Sequence, residues 1–263
     1  MDKFADLSNK KLFLMDMDGT IYLDDRLLPG VADFIERVRS KGRAVFLTNN
    51  SSRGIDAYLE KMKRLGIPAE EDDFLTSVDA LIWYLNENFG QGAGGIRIYV
   101  MGTESFRKQL KDSGFDITDR YEEGIGMVIL GFDRELTYRK LEDVSRLLNE
   151  KPDLPYLAAN PDWVCPAEFG SVPDCGSMAQ MLQHSTGRLP RFMGKPEPIM
   201  PELAMKKFGF TREETLIMGD RIYTDIACGV NAGIDTAFLL LGRGHSGRHS
   251  QIWHRAHLYI QQY

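Results

Sequence analysis

The sequence predicts an α/β protein in which a parallel sheet with helical crossovers is interrupted by a second α/β series. Three observations carry this. Short apolar runs alternate with amphipathic segments from the start of the chain. The same alternation resumes near its end after a long intervening stretch. Acids and glycines close several of the apolar runs, as at the edge of a parallel sheet.

The first run, LFLM at 12–15, ends in acids and a glycine and reads as a buried strand. VADFIERVRS at 31–40 sets Val31, Phe34, Ile35 and Val38 at helical spacing, and Gly42 follows as a stop. AVFL at 44–47 is the next strand, and IDAYLEKMKRLG at 55–66 the next helix, closed by Gly66 and Pro68. A middle series has strand candidates IRIYV at 96–100, MVIL at 127–130 and PYLAA at 155–159. The glycine cluster GQGAGG at 90–95 follows a helix rather than a strand, so it reads as a flexible loop and not a dinucleotide fingerprint. TLIMGD at 215–220, a helix at 222–233 and the strand DTAFLLL at 235–241 return the chain to the first series. The expected core is therefore discontinuous, 1–79 with 189–263, around an insertion at 80–188.

Composition narrows the function. The chain has 263 residues and a net charge of −6, which argues against a nucleic-acid backbone as partner. No stretch approaches the roughly 20 apolar residues of a membrane span. The opening MDKFADLSNKKLF lacks the apolar segment of a secretory leader. Cys165, Cys175 and Cys228 are odd in number and lack CxxC spacing, so reduced thiols and a cytoplasmic setting are expected.

The chemistry concentrates in four places. Asp16-Met17-Asp18-Gly19-Thr20 directly follows the first strand, with two carboxylates at i and i+2. Such acids repel unless a cation lies between them or one keeps a proton, and a carboxylate beside an acid/base partner can form an acyl phosphate. Thr48-Asn49 ends the second strand and offers hydroxyl and backbone donors. Gly194-Lys195-Pro196 supplies a cation, and Gly219-Asp220-Arg221 with Asp225 adds two more carboxylates. Singly, each piece has an ordinary structural reading: a helix cap, a solvated lysine, an acidic first turn. Their joint occurrence in this order favours a phosphoryl-transfer site.

In this order the motifs resemble those of the haloacid dehalogenase (HAD) superfamily. The long insertion, with ANPDWVCP at 159–166 and GKPEP at 194–198, is similar to its class IIA branch of NagD-like and p-nitrophenyl phosphatase-like hydrolases. The resemblance implies a doubly wound, Rossmann-like core with an inserted α/β cap. It implies that Asp16 attacks phosphorus and that Asp18 protonates the leaving alcohol and later deprotonates water. Thr48, Asn49 and Lys195 would hold phosphoryl oxygens. Mg2+ would bind the Asp16 and Asp220 carboxylates and the Asp18 carbonyl, with Asp225 behind them. Asn160, Pro161 and Asp162 would select a small phosphorylated metabolite, and copies would associate through the cap. The family's dehalogenases lack an acid at the position of Asp18, so a phosphatase is expected. A phosphotransferase or mutase of the same superfamily shares the motif and differs in the acceptor. A phosphoryl-accepting signalling module also combines acids, threonine and lysine, but would not have an acid two residues after its nucleophile.

The ending is compositionally foreign. His245, His249, His254 and His257 fall in the last nineteen positions, and no acid follows Asp235. Their spacing invites a metal-site reading. A different account fits better: residues 241–263 back-translate so that reading one nucleotide later gives SGEGTLEDIAKSGTEPTYIYNN, which resembles the usual family ending. The expectation is a frameshift from about residue 241, with the apolar run Leu258, Tyr259, Ile260 left to take the sheet edge.

Overall fold

The computed structural model describes residues 7–167, 169–239 and the backbone of 258–261. The chain divides into two compact units. The first comprises 1–48, 55–75 and 195–263, and the second 49–54 and 76–194. The expected insertion, 80–188, lies inside the second unit, which also takes the short segment Asn49–Gly54.

In the first unit a six-stranded sheet runs in the order Leu258–Gln261, Asp235–Leu239, Thr215–Gly219, Leu12–Asp16, Arg43–Thr48, Phe74–Thr76. Leu12–Asp16 pairs in parallel with both neighbours, matching Met15 to Met218 on one side and to Phe46 on the other. Phe13 and Met15 enter a cluster with Val31, Ile35 and Val38 of helix Val31–Arg39 and with Tyr58 and Met62 of helix Ile55–Arg64. Leu12 and Leu14, on the opposite side of the pleat, are also fully buried. Burial of both faces explains why this strand is a continuous apolar run rather than an alternating one. Each such side chain contributes about 1.5–3 kcal/mol of burial free energy. Phe34 is only partly buried and meets Phe13 edge to face at 6.4 Å. Because the strands are parallel and in register, Asp16, Thr48 and Gly219 end three adjacent strands at one edge.

The expected helix at 222–233 is in two parts, a wide π-helical turn at Ile222–Ile226 and an α-helix at Ala227–Ala232. The wide turn brings the Asp225 carboxylate back to accept the Arg221 N–H at 3.1 Å. Such wide turns are frequent at functional sites.

The second unit is a five-stranded parallel sheet in the order Arg191–Phe192, Tyr156–Ala158, Ile125–Leu130, Arg97–Met101, Ile117–Thr118. Val144, Leu147 and Leu148 of helix Tyr138–Glu150 and Met178, Ala179 and Leu182 of helix Cys175–Thr186 cover Tyr99, Val128 and Leu130. Thr76 starts helix Ser77–Phe89 through a reciprocal cap with Asp79. The glycine cluster is not the open loop expected from composition. Gly92, Ala93 and Gly94 form a left-handed turn with Ala93 fully buried, and the Gly92 N–H donates to Asn86 Oδ1 at 3.1 Å.

Leu258–Gln261 pairs antiparallel with Asp235–Leu239 and occupies the sheet edge, as expected for the apolar run. The remainder of the proposed frameshifted segment, 241–257 and 262–263, lies outside the described residues. Replacing 241–263 by SGEGTLEDIAKSGTEPTYIYNN is expected to raise the denaturation midpoint by roughly 2–4 °C, the shift that about 1 kcal/mol makes in a protein of this size. The reason is that TYIYNN restores the alternation that selects a strand's register. An unchanged or lower midpoint would establish the present ending as the native one.

Candidate functional site

Asp16 is the last residue of its strand, and the chain turns immediately after it. The Gly19 N–H donates to the Tyr22 carbonyl at 2.8 Å, and Gly19 has φ +92°. A Cβ at Gly19 would run into the Asp220 carboxylate, so the turn and the acid approach each other only because this residue is glycine. Thr20, the last residue of the motif, donates from Oγ1 to Asp16 Oδ2 at 3.3 Å.

Lys195 joins this group from the far end of the sequence. Its buried ammonium contacts Asp16 Oδ1 and lies 2.6 Å from Asp225 Oδ1. Asp16, Asp220 and Asp225 each present a carboxylate oxygen within 4.8 Å of the others. One lysine cannot neutralise three carboxylates. Burial, and then repulsion by Asp225, push Asp16 up to about 8 against the opposing effect of Lys195. Burial, followed by Asp225, also raises Asp220. Burial alone would lower Lys195, but Asp16 and Asp225 outweigh it and hold the ammonium charged.

The oxygens are unequally engaged. Asp225 gives Oδ1 to Lys195 and Oδ2 to the Arg221 N–H. Asp220 Oδ1 is buried with no hydrogen-bond partner. An orphaned carboxylate oxygen in an electron-rich cluster costs about 1–3 kcal/mol or more. An all-oxygen group with this excess of negative charge suits a hard divalent cation.

Asp18 is exposed and lies 3.9 Å from Lys61 Nζ, which is itself held 3.5 Å above the Tyr22 ring. Thr48 ends its strand, buried, beside Asp16. Thr20 and Lys61 were not singled out from the sequence. Thr20 belongs to the motif itself and was readable there. Lys61 is one of several basic residues on a surface helix, and nothing in its spacing marks it.

The other expected residues belong to the second unit. Asn49 is buried, and its carbonyl accepts from Ser77 Oγ at 2.8 Å and Asn160 Nδ2 at 2.7 Å. Asn160 is completely buried and its Oδ1 accepts the Asp162 N–H at 3.1 Å. Its side chain therefore bonds to the protein's own backbone. Pro161 and Asp162 are partly accessible, and Trp163 beside them is exposed.

Comparison with known proteins agrees with this arrangement. A family model described as haloacid dehalogenase-like hydrolase matches residues 13–116, and a related HAD-hydrolase-like model matches 192–262. An acid sugar phosphatase of Staphylococcus aureus is 31% identical over 233 residues, covering 88% of this chain and 87% of that protein. The crystal structure of a 4-nitrophenylphosphatase from Thermotoga maritima is 38% identical with a TM-score of 0.82, covering 91% of this chain and 92% of the other. A glycerol phosphate phosphatase from Mycobacterium tuberculosis, solved with magnesium, is 28% identical with a TM-score of 0.82 over 90% of this chain and 70% of its own. With both halves of the motif set converging on one sheet edge, the chain belongs to the haloacid dehalogenase-like hydrolases, in their NagD-like class IIA branch.

Proposed function

We propose that this chain is a magnesium-dependent phosphatase that hydrolyses a small phosphate monoester through an aspartyl-phosphate. The observation that carries the proposal is Asp16 at a strand end, bound to buried Lys195, beside Asp220 with an oxygen left unpartnered. The names of the relatives, which include acid sugar, 4-nitrophenyl and glycerol phosphate phosphatases, support the same reaction class.

Asp16, Asp220 and the Asp18 carbonyl would hold the ion, and Asp225 would orient Lys195 and the turn behind it. When bound, magnesium neutralises phosphoryl charge and favours the ionised form of Asp16. An Asp16 oxygen attacks phosphorus, the ester P–O bond breaks, and Asp18 gives its proton to the leaving alcohol. Asp18 then removes a proton from water, whose oxygen attacks phosphorus and releases phosphate and the Asp16 carboxylate. Exposure of Asp18 suits a group that must meet leaving alcohol and water in turn. Thr48 and the Lys195 ammonium hold the transferring oxygens, since phosphoryl transfer asks mainly for alignment and charge neutralisation.

The second unit serves as the cap in this proposal. Pro161, Asp162 and Trp163, which unlike Asn160 are at least partly accessible, would meet the leaving group. Exposed Trp163, just before its antiparallel hairpin, and exposed Phe169, in the hairpin's turn, support association of copies through the cap, which the molar mass in solution tests. Cys165, Cys175 and Cys228 stand as thiols rather than disulfides, which supports a cytoplasmic setting. Among the described residues no helix is long and apolar enough to cross a membrane.

The test is a panel of phosphate monoesters, including 4-nitrophenyl phosphate, assayed with and without metal. Activity is expected to vanish in EDTA, to return with magnesium, and to return poorly with calcium. Calcium prefers more ligands and longer bonds, which would misalign nucleophile and phosphorus. Full activity after exhaustive chelation would falsify the assignment.

A further inference from the structure

Two chain crossings bear on the phosphate ligands. Thr48 is followed by Asn49, where the chain enters the second unit, and Lys195 is preceded by Gly194, where it leaves. Within the second unit these two points are fastened by adjacent residues. The Ala159 carbonyl accepts the Gly194 N–H at 2.7 Å, and Asn160 Nδ2 donates to the Asn49 carbonyl at 2.7 Å. Asn49 and Gly194 also pack directly together. A Cβ on Gly194 would lie 2.5 Å from Asn49 Oδ1 and 2.8 Å from the Ala159 carbonyl.

The rest of the entering segment is held as firmly. Ser77 Oγ shares the Asn49 carbonyl at 2.8 Å, the Phe132 N–H donates to Ser51 Oγ at 2.8 Å, and Thr103 Oγ1 donates to the Ser52 carbonyl at 3.3 Å. Among these partners Asn160 has a distinctive chemistry. Its carboxamide donates to Asn49 while its own oxygen accepts the Asp162 N–H, so the amide has one satisfactory orientation. Aspartate could not donate, and alanine would leave a buried carbonyl with one partner fewer.

We infer that Asn160 is a positioning residue for phosphate binding. It buckles the chain after Thr48 to the chain before Lys195 and so sets the separation of the two phosphoryl ligands. The inference rests on the phosphatase reading and moves Asn160 from substrate selection to a role common to all substrates. Substrates that differ only in their leaving group should therefore suffer equally when it is changed.

The test compares Asn160→Ala, Ser77→Ala and Thr137→Ala with the full-length protein in magnesium. Readouts are kcat and KM for 4-nitrophenyl phosphate and a second monoester, the inhibition constant of inorganic phosphate, and the thermal midpoint. Thr137 caps helix Tyr138–Glu150 of the same unit and touches neither crossing, so it reports loss of stability alone. Asn160→Ala is expected to lower kcat/KM by roughly ten- to a hundredfold, the scale of a small misplacement. Both substrates should be affected alike, and phosphate inhibition should weaken in parallel. Ser77→Ala should shift the same constants less, and Thr137→Ala should lower only the midpoint. If Asn160→Ala yields no folded protein, Ser77→Ala carries the test, and unchanged phosphate inhibition in it overturns the inference. An active wild-type protein whose Asn160→Ala form keeps its phosphate inhibition, or matches Thr137→Ala in every readout, also overturns it. Loss confined to one leaving group would return Asn160 to substrate selection. A wild-type protein that hydrolyses no monoester overturns the phosphatase reading first and this inference with it.

Discussion

Asp16→Asn is expected to abolish phosphate-ester hydrolysis while leaving a folded and slightly more stable protein. Loss of a nucleophile should lower kcat by at least about 10⁴-fold, since an amide neither attacks phosphorus nor is regenerated by water. Stability should move the other way because the cluster sets three carboxylates against one lysine. Lys195 keeps Asp225 at 2.6 Å, so the substitution leaves no buried cation unpaired. The sign also depends on pH. Burial and Asp225 raise Asp16 from 3.8 to about 8, so between those values the folded protein holds a proton that the unfolded chain releases. The contribution of neutral Asp16 is complete below pH 3.8 and is lost as pH rises through about 8. Without metal, the asparagine variant should therefore gain most over wild type at the alkaline end. Magnesium should reverse the comparison by stabilising the wild type more. Thermal midpoints across pH, with and without magnesium, measure this beside kcat. Retained turnover would remove Asp16 from the chemistry, and a midpoint gap that narrows toward alkaline pH would contradict its charge state.

Much of the candidate site was legible because it is local. Asp16, Thr48 and Gly219 each follow an apolar run, and parallel pairing brings the ends of such runs to one side of a sheet. Helical spacing identified Val31, Ile35 and Val38 as buried for the same reason: one face of a helix must be covered. Features set by distant contacts were not legible. The sequence neighbours Thr48 and Asn49 fall in different units, a division made by what each residue touches. Asn160 looks like turn chemistry in any Asn-Pro-Asp segment, and only tertiary structure reveals its bond to a carbonyl more than a hundred positions away. The wide turn at Ile222–Ile226 reads as ordinary helix because its apolar spacing continues into Ala227–Ala232. Glycine composition was misleading at 90–95, where the same permissiveness that allows flexibility also allows a fixed left-handed turn.

Lys195→Met should be nearly as damaging to turnover, with the opposite effect on stability. Methionine approximates the aliphatic stem of lysine but removes the ammonium from between Asp16 and Asp225. Lys195 and Asp225 are buried, and breaking such a pair by removing one member costs on the order of 3–5 kcal/mol because a carboxylate is left without its counter-charge. The full penalty is expected only without metal. A divalent cation nearby would restore part of the missing positive charge, so magnesium should recover more of the midpoint in the variant than in wild type. It should not recover the rate, because the ammonium would itself hold a transferring oxygen, a contact that an ion held by Asp16 and Asp220 would not supply. The expected loss in kcat/KM is about 10²–10³-fold, the scale of one charge-stabilising contact at a reacting centre. Titrating magnesium against both variant and wild type, with midpoint and kcat/KM read from the same samples, separates the two roles. If magnesium restores rate and midpoint together, Lys195 acts only as a counter-ion for the carboxylates. If the midpoint falls equally with and without magnesium, no cation occupies the cluster, and the metal assignment fails.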